Sequence, residues 1–243
     1  MLIFCKSALA NKTYRFAVNS PGAPPYLYID PKSDTYVGLL NDVLQEASRM
    51  HGLSFEFLDS NRVRNETLLN TNKIDAFLLS KVWLKNPNQA IASIPLFSHR
   101  MFLYKMKPFE DSFTLSQLKD HKICTRDGYI YPSLTKMTEN GFISRIDSSS
   151  KISVMNMLVA GRCDYAIMNE FNAAKVFDLL EFKNNTFHMS PRPSDKTHTE
   201  IILRPELTKL KTQLDQTIAA MQSDGSLSES LQFHVRMGSS HQN

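Results

Sequence analysis

The stretch "YVGLLNDVLQEASRMHGLSFEF", residues 36 to 57, decides the fold class because a helix in it leads directly into a strand. Apolar residues recur at helical spacing from Leu39 to Met50, and Gly52 ends the run as a C-terminal cap does. Alternating apolar residues follow in "LSFEFLD" and predict a strand. When helix and strand follow each other in this way along a chain, the protein belongs to the α/β class.

The same alternation continues on both sides of this stretch. Further strands are predicted at "YRFAVN", "IDAFLL", "KICTRDG", "ISRID", "CDYAIMN" and "HTEIILR". Further helices are predicted at "RVRNETLLNTNK", "YIYPSLTKMTENG", "SSSKISVMNMLVAGR", "EFNAAKVFDLLE" and, with Pro205 at its first position, "PELTKLKTQLDQTIAAMQSDG". Because "IDAFLL" is apolar almost throughout, it is typical of a strand buried on both faces. The sequence therefore predicts an α/β fold with mostly parallel sheets flanked by helices.

The order of elements runs twice, which predicts two lobes. Lobe 1 is expected to contain residues 11–97 and 199–243, and lobe 2 residues 98–198 with the hinge strands. Two hinge crossings join the lobes and leave a cleft between them. Ligands of α/β sheets bind beyond the carboxyl ends of the strands, which face that cleft.

Composition and motifs count against several classes of function. The chain has 243 residues, is 42% hydrophobic and carries a net charge of +4, with no block of basic residues. A nucleic-acid partner is therefore disfavoured. The scattered histidines have no metal-ligand spacing, and no nucleophile with a base, phosphate loop or zinc motif is present. We expect no metal, no cofactor and no catalysis.

The N-terminal residues and the cysteines bear on the compartment in which the protein is expected. "MLIFCKSALA", residues 1–10, reads as the remnant of a signal peptide truncated in this sequence, and predicts a periplasmic protein; an ordinary N-terminal extension is the alternative. Cys124 and Cys163 lie on runs that could be neighbouring strands, where a bridge is possible. Two buried free thiols are the favoured interpretation.

Six segments together resemble a known family: "YVGLLNDVLQEASRMHGLSFEF", "LLNTNKIDAFLLS", "IPLFSHRMFLYK", "LSQLKDHKICTRDG", "MLVAGRCDYAIMN" and "PELTKLKTQLDQTIAAMQSDGSLSESL". In this order and spacing they are similar to the bacterial extracellular solute-binding proteins of family 3, the polar amino-acid type that serves ABC importers. The resemblance runs from about Tyr14 to Leu231. It implies a type II periplasmic binding fold whose lobes close on a ligand like a hinged trap. It also implies a monomer that captures a small polar solute for an ABC permease in the inner membrane.

The chain departs from the family pattern where free α-amino acids are bound. The family's carboxylate-binding arginine would fall at Asn86 or Pro87, and nearby Lys85 lacks the planar two-point clamp of arginine. The family's ammonium-binding acid falls at Asn169, which is neutral, with Glu170 beside it. These departures predict a solute other than a standard free α-amino acid.

The family's aromatic positions also differ, since they fall at Ala23 and Arg62. The lone tryptophan, Trp83, lies on the loop after a buried strand and is expected to line the cleft. Gly128 to Ile130 are expected to open a helix whose amides bind an anion. Ligand contacts are therefore predicted at Arg62, Ser80, Val82, Trp83, Arg126, Gly128, Tyr129, Ile130, Asn169 and Glu170. The solute is expected to be polar or anionic.

Other interpretations of these residues stay open. Tyr26 is expected to pack its loop rather than contact ligand. Arg62 fits equally well as part of a solvated helix face. Asn169 fits as a helix cap. Glu170 fits as an acid in the first turn of a helix, where the helix dipole favours it. Two other functions are also consistent with the fold: the sensing domain of a signalling protein, and a dehydratase-like enzyme that uses Glu170.

Overall fold

The computed structural model describes residues 12–20 and 22–240, and within them the fold is α/β, as predicted. The strands are β1 (Thr13–Asn19), β2 (Gly22–Ala23), β3 (Leu27–Asp30), β4 (Thr35–Val37), β5 (Ser54–Ser60), β6 (Ala76–Leu79), β7 (Ile91–Ala92), β8 (Phe97–Lys105), β9 (Lys122–Arg126), β10 (Ser144–Ser148), β11 (Tyr165–Asn169), β12 (His188–Met189) and β13 (Asp195–Leu203). The helices are α1 (Leu39–His51), α2 (Arg62–Asn70), α3 (Pro132–Glu139), α4 (Lys151–Val159), α5 (Glu170–Phe177), α6 (Thr208–Ser223) and α7 (Ser226–Ser240).

The principal sheet has the strand order β10-β9-β11-β8-β13-β6-β1-β5. Strands β5, β1 and β6 are parallel at one end, and β10, β9 and β11 are parallel at the other. Between them lie β8 and β13, which run antiparallel to each other. The first five residues of β13 pair with β8, and its last four pair with β6. These two long strands therefore connect the halves of the sheet, while the lobe boundaries at residues 97 and 199 stay predictions.

Separate apolar cores lie on the two halves. On the first half, α1 and α6 pack over a core that includes Phe16, Leu40 and Leu214. On the second half, the two faces of the sheet carry cores around Met155 and around Ile123. The long helix α1 ends as the sequence predicts, because Gly52 adopts a left-handed conformation with φ of 65° and its amide donates to the Ser48 carbonyl oxygen at 2.9 Å.

Two helices begin later than the sequence predicts. Helix α3 begins at Pro132, not at Gly128, because proline is favoured at the first helical position and the residues before it form a turn. In that turn Gly128 has φ of 73°, and the Tyr129 amide donates to the Arg126 carbonyl oxygen at 3.2 Å. Likewise α6 begins at Thr208, since the chain turns at Pro205 and the Leu207 amide donates to the Arg204 carbonyl oxygen at 3.1 Å.

The prediction of two free thiols is wrong, because Cys124 and Cys163 form a disulfide. Cys124 lies on β9, and Cys163 just precedes the neighbouring parallel strand β11. Their Cα atoms are 5.7 Å apart, which is the usual spacing for a bridge. The predicted signal-peptide remnant, residues 1–10, lies outside the described residues. Of the helices described, none is long and apolar enough to cross a membrane.

Candidate functional site

A cavity of about 570 Å³ lies where the carboxyl ends of the parallel strands meet. Each of these six strands ends at or just before a residue of the cavity wall: Asn19 on β1, Asn61 after β5, Leu79 on β6, Arg126 on β9, Ser149 after β10 and Asn169 on β11. The two long strands that connect the halves of the sheet, β8 and β13, contribute His99 and Thr199. Both halves of the sheet therefore form one site, at the edge where ligands of α/β sheets bind.

Six of the ten predicted contact residues lie on this wall: Arg62, Trp83, Arg126, Tyr129, Ile130 and Asn169. The structure does not bring the other four to the wall. Ser80 is buried and its hydroxyl hydrogen-bonds to the Thr197 hydroxyl at 2.7 Å. Val82 is 59% exposed at the surface, and Gly128 lies in the turn before α3, close to Val63. Ligand contact by any of the ten stays a prediction.

Arg62 holds the loop that carries Trp83. Its guanidinium donates to the Glu66 carboxylate at 2.8 Å and to the Trp83 carbonyl oxygen at 2.6 Å. The other oxygen of Glu66 accepts from the Lys85 amide at 2.9 Å. Since Arg62 is paired with a carboxylate and both of its terminal nitrogens donate to this loop and its neighbour Glu66, its principal effect is to position Trp83. The interpretation of Arg62 as part of a solvated helix face is wrong, because its side chain is only 12% exposed.

Trp83 lines the cavity and packs against His99 in a T-shaped contact, with ring centroids 4.8 Å apart. Among the described residues its indole Nε1 has no hydrogen-bond partner, although the atom is buried. Asn86 and Pro87 do not line the cavity; they are exposed at a short 3₁₀ turn, Pro87–Gln89. No arginine therefore stands at this part of the wall in the described structure apart from Arg62, which is already paired.

Asn169 joins the two halves of the site. Its side-chain oxygen accepts from the Asn172 amide at 2.9 Å and caps α5, so the interpretation as a helix cap is confirmed. Its side-chain nitrogen donates to the Tyr26 hydroxyl at 2.7 Å. Tyr26 stacks on Phe97 with centroids 5.0 Å apart, so it packs its loop as expected and also reaches the cavity wall. Burial raises the pKa of Tyr26, which keeps its hydroxyl protonated.

Glu170 lies in the first turn of α5, as the helix-dipole interpretation predicts, and not on the cavity wall. Its carboxylate pairs with the Arg100 guanidinium at 2.7 Å. Both contacts with Arg100 go to Oε1, and Oε2 is buried without a hydrogen-bond partner among the described residues. Because the carboxylate lies off the wall and is paired with Arg100, it does not line the cavity as an ammonium partner.

Lys151, which the sequence interpretation missed, lies on the wall at the first residue of α4. Its ammonium donates to the Asn172 side-chain oxygen at 2.6 Å. Burial, with smaller contributions from the neighbouring cations Lys175 and Arg126, lowers the pKa of Lys151 to about 8. Burial, with a contribution from Lys151, also lowers the pKa of His99 to about 4, so His99 is neutral at pH 7.

The wall residues that were not predicted differ in whether a sequence pattern could have identified them. Lys151 follows a parallel strand by three residues, so the carboxyl-end rule applied to "SRIDSSSK" would have included it. His99 and Thr199 lie within the long strands β8 and β13, where the twist of the sheet decides which side chains point to the cavity. Asn65 is 1% exposed on the wall and carries a side-chain oxygen without a partner among the described residues.

Comparison with solved structures identifies the fold. A histidine kinase sensor domain with similarity to periplasmic binding proteins superposes with a TM-score of 0.76, at 15% identity over 92% of this chain and 96% of that chain. An amino acid ABC transporter substrate-binding protein from Streptococcus pneumoniae, bound to L-arginine, gives 0.71 at 15% identity over 93% and 95%. An ancestral arginine-binding protein gives 0.72 at 18% identity over 91% and 97%. The fold is that of the two-lobed periplasmic binding proteins.

The sequence itself matches the model of the bacterial extracellular solute-binding proteins, family 3, over residues 16–235. The chain therefore belongs to this family, and the resemblance inferred from the six segments is confirmed. No curated protein matches the chain. The family establishes a solute-binding role, and the solute has to be inferred from the site.

Proposed function

We propose that this protein is a non-catalytic periplasmic binder that captures a small polar solute, other than a standard free α-amino acid, in the cavity between its lobes. The expected partner that receives the solute is an ABC permease in the inner membrane. A cavity of about 570 Å³ falls within the usual range of small-molecule sites, which supports this role.

The state of Asn169 carries the proposal that the solute is not a free α-amino acid. A free amino acid needs an acceptor for its ammonium group and a donor set for its carboxylate. Asn169 is neutral, and both ends of its amide are engaged by Tyr26 and Asn172. The nearby carboxylate of Glu170 is paired with Arg100. Glu170 also lies off the cavity wall, so at this end of the described site no carboxylate lines the cavity to receive an ammonium.

Titration of the purified protein against separate panels tests this proposal. The panels are the standard amino acids, small carboxylic acids, phosphate esters, sugars and short peptides, each measured by calorimetry. Binding is expected for a polar solute outside the amino-acid panel. Tight binding of a neutral or cationic amino acid would show the proposal to be wrong.

The emission of Trp83 is expected to shift in wavelength or intensity when the cognate solute binds. Trp83 is the only tryptophan in the sequence, and it lies on the wall against His99 at 4.8 Å, so closure on a solute changes its surroundings. Emission spectra are recorded during the same titration. The Trp83→Phe variant should bind in the calorimeter but give no tryptophan signal. A calorimetric binder that leaves the wild-type spectrum unchanged contradicts this placement of Trp83.

The sensing domain of a signalling protein is the second candidate, and the structural likeness to a histidine kinase sensor domain is consistent with it. Both functions use the same cavity. The genes beside the coding sequence separate them: an adjacent permease and ATPase indicate transport, and signalling domains encoded in the same reading frame indicate sensing. A dehydratase-like reaction receives no support from Glu170, which is paired with Arg100 away from the cavity wall.

A further inference from the structure

The charges on the cavity wall are unbalanced. Three cationic side chains line it, at Arg62, Arg126 and Lys151. Arg62 is neutralised by Glu66 at 2.8 Å. For the other two cations, no carboxylate lies within ion-pair distance in the residues that the structure describes. Of the described lining residues, Asp127 alone carries a carboxyl group. The wall therefore has a surplus of positive charge.

The surroundings of Lys151 add to this surplus. The charged or titratable groups that face it are Arg126 on β9, Lys175 on α5 and His99 on β8. Its hydrogen-bond partner, the amide of Asn172, is neutral. A partly buried ammonium among other cations is unfavourable unless an anion joins them. An anionic ligand group at this point would supply the missing partner.

The rest of the wall suits an organic molecule. Aromatic rings of Tyr26, Trp83 and Tyr129 line the cavity, together with apolar side chains such as Leu78 and Met168. A lone inorganic ion would leave most of this surface without a partner, whereas pockets for organic ligands combine apolar walls with a few placed polar groups. The Cζ atom of Arg126 also lies 5.8 Å from the centroid of the Tyr129 ring, within the range of a cation–π contact.

We propose that the solute is an organic oxyanion without an ammonium group, and that Lys151 together with Arg126 binds its anionic group. This inference rests on the proposed function, because it names the class of solute in the same cavity. Carboxylates and phosphate esters share the required chemistry, since both offer oxygens to an ammonium and to the planar fork of a guanidinium. A ligand ammonium is disfavoured, because it would add a positive charge to a wall where two cations without an ion pair, Arg126 and Lys151, outnumber the one carboxylate, Asp127.

The test uses the intact protein with named probes. Calorimetry measures succinate, glutarate, citrate and benzoate as carboxylates, and glycerol 3-phosphate and glucose 6-phosphate as phosphate esters. L-glutamine, L-arginine, putrescine and glucose serve as amine-bearing or neutral probes. At least one oxyanion is expected to bind. Comparison of the carboxylate probes with the phosphate-ester probes shows which kind of oxyanion the site prefers.

Replacement of Lys151 by methionine is expected to weaken binding of that oxyanion by about ten- to a hundredfold, the usual loss for a hydrogen bond to a charged group. The Lys151→Arg variant should recover part of the affinity because it keeps the charge. The matched control is Lys122→Met, which removes the same charge at the exposed amino end of β9 and should bind as the wild type does. Thermal unfolding checks each variant, and Lys151→Gln replaces the methionine variant if that variant does not fold.

The pH dependence gives a second readout. Only the protonated ammonium attracts an anion, so, at pH values where the probe itself stays ionised, affinity should be steady up to about pH 7 and fall as the pH rises through the lowered pKa of Lys151, about 8. The fall should approach tenfold per pH unit above this value. In Lys151→Arg it should disappear, because arginine stays charged.

The outcomes separate this inference from the proposed function. Binding of an oxyanion that depends on Lys151 supports both. If glucose binds, or if an oxyanion binds equally well to Lys151→Met, the inference is wrong and the proposed function stands. If no oxyanion probe binds, the inference is wrong. Tight binding of L-glutamine or L-arginine overturns the proposed function as well.

Discussion

Replacement of Asp75 by alanine is expected to lower the free energy of unfolding by about 3–5 kcal/mol, the usual cost of removing one partner of a buried ion pair. Asp75 is 2% exposed and immediately precedes β6. One carboxylate oxygen accepts from the Arg15 amide on β1 at 2.8 Å, and the other accepts from the Arg204 guanidinium just after β13 at 2.5 Å. One carboxylate thus holds three strands of the first half of the sheet together.

The size of this effect follows from what the variant leaves behind. The Arg204 side chain is 13% exposed, and its remaining ion pair is with Glu206, whose side chain is 57% exposed. Without Asp75 the guanidinium would stay largely buried next to one solvent-screened partner, and the Arg15 amide would lose its acceptor. Buried charges and donors left in this way cost far more than an exposed pair contributes.

Urea unfolding at pH 7 measures the loss for Asp75→Ala. The matched control is Asp111→Ala, the same change at an exposed residue, which should alter stability by less than about 0.5 kcal/mol. Asp75→Asn should lie between these two, because the amide keeps one acceptor and loses the charge. A loss below about 1 kcal/mol for Asp75→Ala would contradict this account of the three strands.

Much of the fold could be predicted because its signals are local. Helix α1 has one apolar stripe and a glycine cap, and the parallel strands are short apolar runs that end at polar residues. The carboxyl-end rule then places Arg126 and Asn169 on the same cavity as Trp83, although they are far apart in sequence. The class of fold, the location of the site and several of its residues therefore follow from patterns within about 15 residues.

The side-chain contacts within the site depend on how distant segments of the chain pack together, which no local sequence pattern encodes. Asn169 and Tyr26 are 143 residues apart and hydrogen-bond across the cavity, so that the amide is engaged at both ends. Arg62 is engaged by Glu66 and by the Trp83 carbonyl oxygen, which depends on how α2 packs against the loop after β6. The sequence places the start of α3 too early, because a glycine turn and a helix start have similar sequences and only the hydrogen bond from the Tyr129 amide to the Arg126 carbonyl oxygen separates them.

Removal of the Cys124–Cys163 disulfide is expected to lower the free energy of unfolding by about 2–4 kcal/mol. The two cysteines are 39 residues apart, and closing a loop of that length restricts the unfolded chain by about 4 kcal/mol in the chain-entropy model. The bridge joins β9 and β11, whose carboxyl ends carry Arg126 and Asn169 to the cavity wall. The disulfide thus holds strands of the second half of the sheet together, as Asp75 does in the first half.

Unfolding of the Cys124→Ala/Cys163→Ala variant measures this contribution, with a Cys5→Ala background in every sample so that no third thiol exchanges. Dithiothreitol should lower the stability of the Cys5→Ala protein towards that of the triple variant, and should leave the triple variant unchanged. A thiol assay under denaturing conditions should find no free thiol in the untreated Cys5→Ala protein and two after reduction. Two free thiols before reduction, or equal stabilities with and without the two cysteines, would show that the bridge does not hold β9 to β11. The ends of these strands at Arg126 and Asn169 would then depend on core packing alone, and solute affinity should be the same in the oxidised and reduced protein.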